Sequence, residues 1–340
     1  MGGALLAQAR TATLTSALRF AQRSGYNQTP RFMTTPIAQS AFRRFAVHGV
    51  FWRQYLDWAV LNVPIYILPV LLVFMTSFFY FFAGPARRAI VRNLAVVLPG
   101  SSRAMNYLRA WRVLYNFAWT ITEGAKFKLT RCEFRYEIEG GELLDQLAGA
   151  AGAIVLTAHM GSYDLGAAIF AEKFQRSLRM VRAPEPHAES EKHLQETLAQ
   201  TGAGAVKVDY NTDGPMLSFD LLNAVRSGEI VSLQGDRVIP GLAQAEGELF
   251  GQRVSFPSGP FTLALVADVP IHPLFCIRDG WRRYRIIASA PIILRRTGHA
   301  REIDLAPGLT SWCAALEETI ATHWEQWFAL LPIFAADAKR

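Results

Sequence analysis

The sequence has little cysteine, and its charges are unevenly distributed. Only three cysteines occur in 340 residues, far apart from one another, so the chain offers neither a zinc-binding spacing nor an even-numbered disulfide framework. The first 56 residues contain no acid and seven arginines, which equals the whole net charge of +7. The balanced remainder argues against a nucleic-acid-binding domain and favours an anionic membrane surface as the partner of the basic leader.

Residues 58–86 contain no charged residue. At a helical rise of about 1.5 Å per residue, such a run is long enough to cross a hydrocarbon core of about 30 Å. Pro64 and Pro69 interrupt the run, because proline removes a backbone donor and kinks a helix. A clean span, a bent or re-entrant helix and a buried core helix therefore all remain open.

The sequence divides into three regions. Residues 1–45 lack sustained periodicity and predict a disordered basic leader, with a transit peptide as the alternative. Residues 46–130 predict a membrane-anchoring and amphipathic helical region, whose last two helices break at residues 99–102 with Ser101 or Ser102 as the cap. Residues 131–335 predict an α/β domain.

Within this domain, short β-rich runs such as GAIVLTA, EIVSLQGDR and VPIHPLFCIR alternate with helical stretches, one of them at 188–201. This alternation predicts an α/β fold with a mixed sheet covered by helices on both faces, preceded by the N-terminal hydrophobic, membrane-associated helical segment. The amphipathic tail, 308–331, predicts a closing helix.

A candidate catalytic pair lies where one buried strand ends. Residues 154–157 predict a strand, and Met160-Gly161-Ser162 predicts the turn into a helix that begins near Tyr163. His159 would then lie at the carboxyl end of a strand, where open α/β sheets carry their sites. Asp164, in the first helical turn, could hold one ring nitrogen and leave the other free to accept a proton from a hydroxyl. A capping aspartate beside a surface histidine would give the same spacing.

Three further stretches give this pair a context. They are LQGDR at 233–237, FPSGP at 256–260 and VPIHPLF at 269–275. With the H-x4-D motif, their order and spacing resemble the four blocks of the glycerolipid and lysophospholipid acyltransferase superfamily. More narrowly, RRAIVRNLAVVLP, HMGSYDLG, GDR, FPSGPFTLA and the terminal EQW resemble the bacterial lipid A late acyltransferase family, over roughly residues 45–330.

The chain departs from that family at two places. Many lipid A enzymes carry Asn-Trp-Glu where this chain has Ser162-Tyr163-Asp164, and an arginine-rich ending where this chain has Phe-Ala-Leu-Leu at 328–331. These departures leave the acceptor open. A lysophospholipid or an ornithine-type aminolipid is the alternative acceptor, and a non-catalytic lipid-binding protein of the same fold is the alternative function.

The resemblance implies transfer of a fatty acyl group from an acyl carrier protein or acyl-CoA thioester to a hydroxyl of lipid A or a related glycolipid precursor. It implies His159 as the general base and Asp164 as the group that fixes its tautomer. Backbone amides from Gly161 and Ser162 onward, at a helix start, are the expected oxyanion donors. The residues expected to bind substrate are Arg182, Asp236, Arg237, Ser258 and Gly259.

For the two arginines, the expected ligand is a phosphate. An ion pair with Arg237 is the structural alternative for Asp236, and an ordinary helix cap is the alternative for Ser258. We expect no metal and no tightly bound cofactor, because no two histidines have a metal-ligand spacing. The expected protein is a monomer at the bacterial inner membrane, with its catalytic domain on the cytoplasmic side.

Overall fold

The structure is a computed structural model that describes residues 50–182, 206–211, 215–239 and 241–334. The predicted leader and the predicted helix at 188–201 lie outside the described residues. The described residues form nine α-helices: α1 Val50–Asn62, α2 Leu68–Phe82, α3 Gly84–Val97, α4 Arg103–Thr130, α5 Gly141–Gly149, α6 Tyr163–Phe174, α7 Pro215–Arg226, α8 Gly259–Ala267 and α9 Arg301–His323.

The described residues also form nine strands: β1 Arg135–Glu139, β2 Ala153–Thr157, β3 Leu178–Arg182, β4 Val206–Tyr210, β5 Ile230–Gln234, β6 Gln244–Leu249, β7 Gln252–Pro257, β8 Ile271–Gly280 and β9 Arg283–Ala288. Seven of them form one sheet in the order β1-β9-β8-β2-β5-β3-β4. All neighbours in it run parallel except β8 and β9. The predicted mixed sheet is therefore confirmed, and parallel pairing dominates it.

The side chains of β2 alternate between two buried clusters, one on each face of the sheet. Ile154 and Leu156 face a cluster that includes residues of α7, α8 and α9. Ala153 and Val155 face a second cluster, to which α5 and α6 contribute. Because both faces are covered, the strand is apolar from Ala153 to Leu156 instead of alternating with polar residues, and only its last residue, Thr157, is polar. The prediction of helices on both faces is confirmed.

The two amphipathic helices predicted at 86–130 are α3 and α4. Ser102 is the N-cap of α4, and its hydroxyl accepts a hydrogen bond from the Met105 amide at 3.2 Å. Of the two predicted caps, the structure selects Ser102.

The charge-free run forms the end of α1, all of α2 and the start of α3. In the described part of the chain, no helix by itself has both the length and the apolar composition for a membrane span. Taken together, α2 and α3 have that length and composition, but the two helices are bent by 93° relative to each other. The membrane association of this segment stays a prediction.

A buried carboxylate fastens α4 to the sheet. Glu123 is fully buried and accepts hydrogen bonds from Arg278 Nε at 3.0 Å, from the Arg282 amide at 3.0 Å and from the Tyr284 hydroxyl. Burial, together with the negative charge of Glu123, raises the pKa of Tyr284, so the hydroxyl keeps its proton. The helical region and the β8–β9 edge of the sheet are thus joined by a satisfied polar network.

Two elements differ from the sequence prediction. The hairpin β6–β7 was not predicted, because its turn is Phe250-Gly251 and lacks the Asn-Gly or Asp-Gly signal of a tight hairpin. The closing helix, predicted at 308–331, is α9 at Arg301–His323, followed by a 3-10 turn at Trp324–Gln326. After this turn the chain passes the end of β2, where Trp327 forms an isolated bridge with Met160.

Candidate active site

The register of two neighbouring strands brings His159 and Asp236 together. In the parallel pair β2 and β5, Thr157 is the partner of Gln234. His159 and Asp236 each follow two residues after these partners, at the same edge of the sheet. The Gly235 amide continues the pairing with a hydrogen bond of 2.8 Å to the Thr157 carbonyl. The site therefore lies at the carboxyl ends of parallel strands, as predicted.

His159 has a hydrogen-bond partner on each ring nitrogen. Its Nδ1 lies 2.7 Å from Oδ1 of Asp236, and its Nε2 lies 2.6 Å from Nη2 of Arg237. A guanidinium can only donate, so Nε2 must be the acceptor, and the ring proton must be on Nδ1, where the carboxylate accepts it. The imidazole is held in the neutral tautomer that a general base requires.

Asp236 is buried, and protein groups bind both of its oxygens. Its second oxygen, Oδ2, accepts a hydrogen bond from Trp327 Nε1 at 3.3 Å. Complete burial would raise the pKa of this carboxyl, but its contacts with His159 and the positive charge of Arg237 hold the pKa below its ordinary value. Asp236 is therefore ionised and can stabilise a developing imidazolium.

These contacts change the role expected for Asp236. The sequence predicts that Asp236 binds substrate or forms an ion pair with Arg237. With 1% of its surface exposed and both oxygens engaged, it cannot bind substrate in this arrangement. The structure instead makes Asp236 the residue that orients His159.

Asp164 does not make the contact with His159 that the sequence predicted. Its Oδ2 lies 3.9 Å from Lys128 Nζ, and its Oδ1 has no hydrogen-bond partner among the described residues. The helix α6 begins at Tyr163 as predicted, so Asp164 does lie in the first turn. The start of α6 was therefore predicted correctly. The predicted partner of the His159 imidazole was wrong, because the ring contacts Asp236 and not Asp164.

Two of the predicted oxyanion donors, the amides of Gly161 and Ser162, are already engaged. The Gly161 amide donates to the Gln326 carbonyl at 3.0 Å, and the Ser162 amide donates to the Cys276 carbonyl at 2.7 Å. Neither amide is free to bind a negatively charged oxygen in this structure. Gly161 has a different role, because its φ is +53° and a Cβ would lie 1.9 Å from the Cys276 carbonyl oxygen. Only glycine lets the turn pass this close to β8.

The chain segment 326–328 packs against residues 159–161, the turn between β2 and α6. Met160 and Trp327 form an antiparallel bridge, and the Phe328 amide donates to the His159 carbonyl at 2.8 Å. The side chain of Gln326 bonds to both the amide and the carbonyl of Arg278, each at 2.8 Å. Gln326 and Trp327 are thus site residues to which the sequence analysis gave no role, although the terminal EQW motif had pointed to them.

The remaining predicted site residues lie at element ends. Arg182 ends β3. The charge of Asp164 and burial raise the pKa of Tyr163, and the nearby positive charge of Arg182 opposes that rise. Ser258 precedes α8 and is buried, but its hydroxyl caps no backbone amide and has no partner in the described chain. Gly259 begins α8 and has open space around it. The substrate roles of these residues stay predictions.

A small cavity lies between the sheet and α6, beside Tyr163. Its volume is about 20 Å³, and its lining includes Val155, Thr157, Gly166 and Phe170. That volume is enough for about one water molecule. In this structure the cavity is therefore too small for an acyl chain.

Within the part of the chain that the structure describes, no three His, Cys, Asp or Glu side chains cluster as metal ligands would. At the site, hydrogen bonds join the buried carboxylate of Asp236 to the imidazole of His159, and the imidazole to the guanidinium of Arg237. The family model described as "Bacterial lipid A biosynthesis acyltransferase" matches residues 38–335. No curated protein matches the chain.

Proposed function

Since the chain belongs to the bacterial lipid A biosynthesis acyltransferase family, we propose that it transfers a fatty acyl group from an acyl thioester to a hydroxyl of a lipid A-like acceptor. The observation that carries the proposal is the 2.7 Å contact between His159 Nδ1 and the buried Asp236. This contact orients a neutral imidazole whose Nε2 can accept a proton. The His159 side chain is 17% exposed, so part of the ring is accessible to solvent.

In the proposed reaction, Nε2 of His159 removes the proton from the acceptor hydroxyl as its oxygen attacks the thioester carbonyl. The resulting imidazolium is stabilised by Asp236, which stays ionised. When the tetrahedral intermediate collapses, the carbon–sulfur bond breaks and the proton passes from His159 to the leaving thiolate. The products are an ester and a thiol, and no acyl-enzyme is needed because a thioester is already activated.

The donor in this proposal is an acyl carrier protein or CoA thioester. Arg237 and Arg182 are proposed to bind a phosphate of the donor or the acceptor, because a guanidinium can form two parallel hydrogen bonds to phosphate. The amides of Gly161 and Ser162 are engaged elsewhere, whereas the Arg237 guanidinium lies beside the reacting nitrogen, with Nη2 2.6 Å from His159 Nε2. This guanidinium is therefore proposed to stabilise the oxyanion.

Comparing lipid masses tests this function. Lipid extracts from cells with and without the gene are compared by mass spectrometry, and the deletion is expected to leave one lipid class lighter by one fatty acyl group. A plasmid carrying the wild-type gene restores the mass, and one carrying His159→Asn does not. Loss from a glycolipid, a lysophospholipid or an aminolipid identifies the acceptor, whereas identical lipid profiles would contradict the proposal.

Members of the family are typically associated with membranes in bacteria. For this chain, the proposed attachment site is an apolar stripe on α2, formed by Val70, Val73, Phe74 and Phe81, which are all exposed. The opposite side of the helix, at Leu68, Leu72 and Thr76, is buried. Four large apolar side chains along one exposed face favour insertion among lipid tails over contact with water.

Charge supports the same attachment. Residues 84–131 hold nine basic residues and one acid, Glu123, which is buried against Arg278. Arg88 and Arg92 on α3 and Arg112 on α4 are exposed. An apolar stripe followed directly by a basic helix pair fits the surface of an anionic phospholipid leaflet, where each basic residue contributes about 1 kcal/mol.

Vesicle flotation measures this attachment. The full chain is expected to float with vesicles of phosphatidylcholine and phosphatidylglycerol, and the double variant Val70→Ser, Phe74→Ser is expected to bind at least about ten-fold more weakly, because each apolar side chain contributes more than 1 kcal/mol when buried. Arg88→Glu combined with Arg92→Glu is expected to weaken binding only when the vesicles contain the anionic lipid.

The matched control is Ile293→Ser with Ile303→Ser. These two side chains are 67% and 57% exposed, close to the 69% and 64% of Val70 and Phe74, but they lie outside the α2 stripe. Binding of the α2 variant equal to that of wild type, or an equal loss in the control, would contradict attachment through this stripe.

A further inference from the structure

Arg237 occupies the position that the acceptor hydroxyl needs. Its Nη2 donates to His159 Nε2 at 2.6 Å, which is the one hydrogen bond that Arg237 makes to the described residues. A general base must come within about 2.6–3.2 Å of the proton that it removes. A hydroxyl and this guanidinium cannot both lie along the single lone pair of Nε2. In this structure, His159 is correctly oriented, but Arg237 blocks its Nε2.

On the basis of the proposed function, we infer that Arg237 is a latch on the catalytic base, and that a phosphate group of a bound substrate opens it. A guanidinium has five N–H donors, and the contact with Nε2 uses one of them. Exchanging a neutral imidazole acceptor for a phosphate gives Arg237 two charge-assisted hydrogen bonds in place of one. The exchange is therefore favourable, and it frees Nε2 when a charged substrate is present.

The latch gives the site a form of specificity. An uncharged alcohol or a water molecule that reaches the site finds the base covered, so it competes poorly for the acyl group. A substrate that carries a phosphate near its reacting group opens the base and is then deprotonated by it. Arg237 is half-buried beside the fixed His159–Asp236 pair, so the latch needs only its side chain to move.

The experiment measures the reactivity of His159 directly. Diethyl pyrocarbonate modifies unprotonated imidazole nitrogens, and peptide mass mapping separates His159 from the other histidines. In the wild-type protein, His159 is expected to react slowly, and in Arg237→Ala about ten-fold faster or more, as the loss of a hydrogen bond to a charged group predicts. Inorganic phosphate is expected to accelerate the wild-type reaction and to leave the rate of the variant unchanged.

Two controls keep the result interpretable. The modification rate of the exposed His299 reports general reactivity. The melting temperatures of Arg237→Ala and of a second variant, Arg237→Lys, report whether each protein is still folded. In wild type, acceleration by dioctanoyl phosphatidic acid assigns the opening phosphate to the lipid acceptor, and acceleration by coenzyme A assigns it to the donor. Equal reactivity of His159 in wild type and Arg237→Ala, or no acceleration by any of the three phosphates, would overturn the latch.

The two proposals fail in different ways. If His159→Asn abolishes acyl transfer, but His159 is modified at the same rate in wild type and in Arg237→Ala, the proposed function is supported and the latch is excluded. If His159→Asn leaves transfer unchanged, the proposed function falls, whatever the modification rates are.

Discussion

Replacing His159 by asparagine is expected to lower the rate of acyl transfer by about 10²–10⁴-fold, the usual contribution of a general base. Asparagine is the informative substitution because its amide can still donate to Asp236, so the buried carboxylate keeps a partner. Alanine would instead leave that carboxylate without this hydrogen bond, and buried unpaired charges are strongly destabilising. The rate loss in His159→Asn can thus be read as loss of the base.

The measurement uses purified protein, a radiolabelled acyl thioester and, as acceptor, the lipid extract of the deletion strain. His299→Ala is the control, since this histidine is exposed and lies outside the site. The melting temperatures of both variants are measured beside the rates. A His159→Asn protein that is folded and transfers acyl groups at the wild-type rate would exclude His159 as the base.

The second large loss of acyl-transfer rate is expected for a substitution at Asp236. It distinguishes the role of Asp236 from that of Asp164. In Asp236→Asn, the new amide oxygen would accept from Trp327 and the new NH₂ group would face His159 Nδ1. That arrangement forces the ring proton onto Nε2, the nitrogen that must accept a proton from the substrate. In a serine protease triad, the same change lowers the rate by about 10⁴-fold, and we expect a loss of about 10³–10⁴-fold here.

Asp164→Asn is the matched control for this substitution. Its side chain is half-buried, pairs with Lys128 at 3.9 Å and does not touch the imidazole, so the rate is expected to fall by less than about ten-fold, as for a long ion pair that is partly open to solvent. Both variants are assayed for initial rates in the same extract. A large loss of rate in Asp164→Asn with a small loss of rate in Asp236→Asn would support Asp164 as the partner of His159, as the sequence suggested.

The difference between these aspartates shows how far local spacing can be used. The H-x4-D pattern correctly placed His159 after a strand and Asp164 in the first turn of α6, because strand and helix signals are local. It could not decide which carboxylate the ring faces. That choice depends on the register of β2 against β5, which pairs Thr157 with Gln234 across 77 positions of chain.

The amides of Gly161 and Ser162 are a second example. A turn before a helix leaves backbone donors unused by the helix itself, so they were reasonable oxyanion candidates. Two distant segments bind these donors, through the carbonyls of Gln326 and Cys276. Nothing near residue 161 in the sequence predicts that the chain end returns to this point.

By itself, the sequence determined the order of helices and strands around the site, the cap of α4 within one residue, the position of His159 after a strand, and the family, because each of these depends on periodicity or on short motifs. Only the tertiary structure decided that Asp236 orients His159, that Trp327 and the segment around it support the pair, and that Arg237 covers Nε2. The physical reason is that these contacts join residues far apart in the chain, and their distances are set by strand register and packing, which a one-dimensional pattern does not contain.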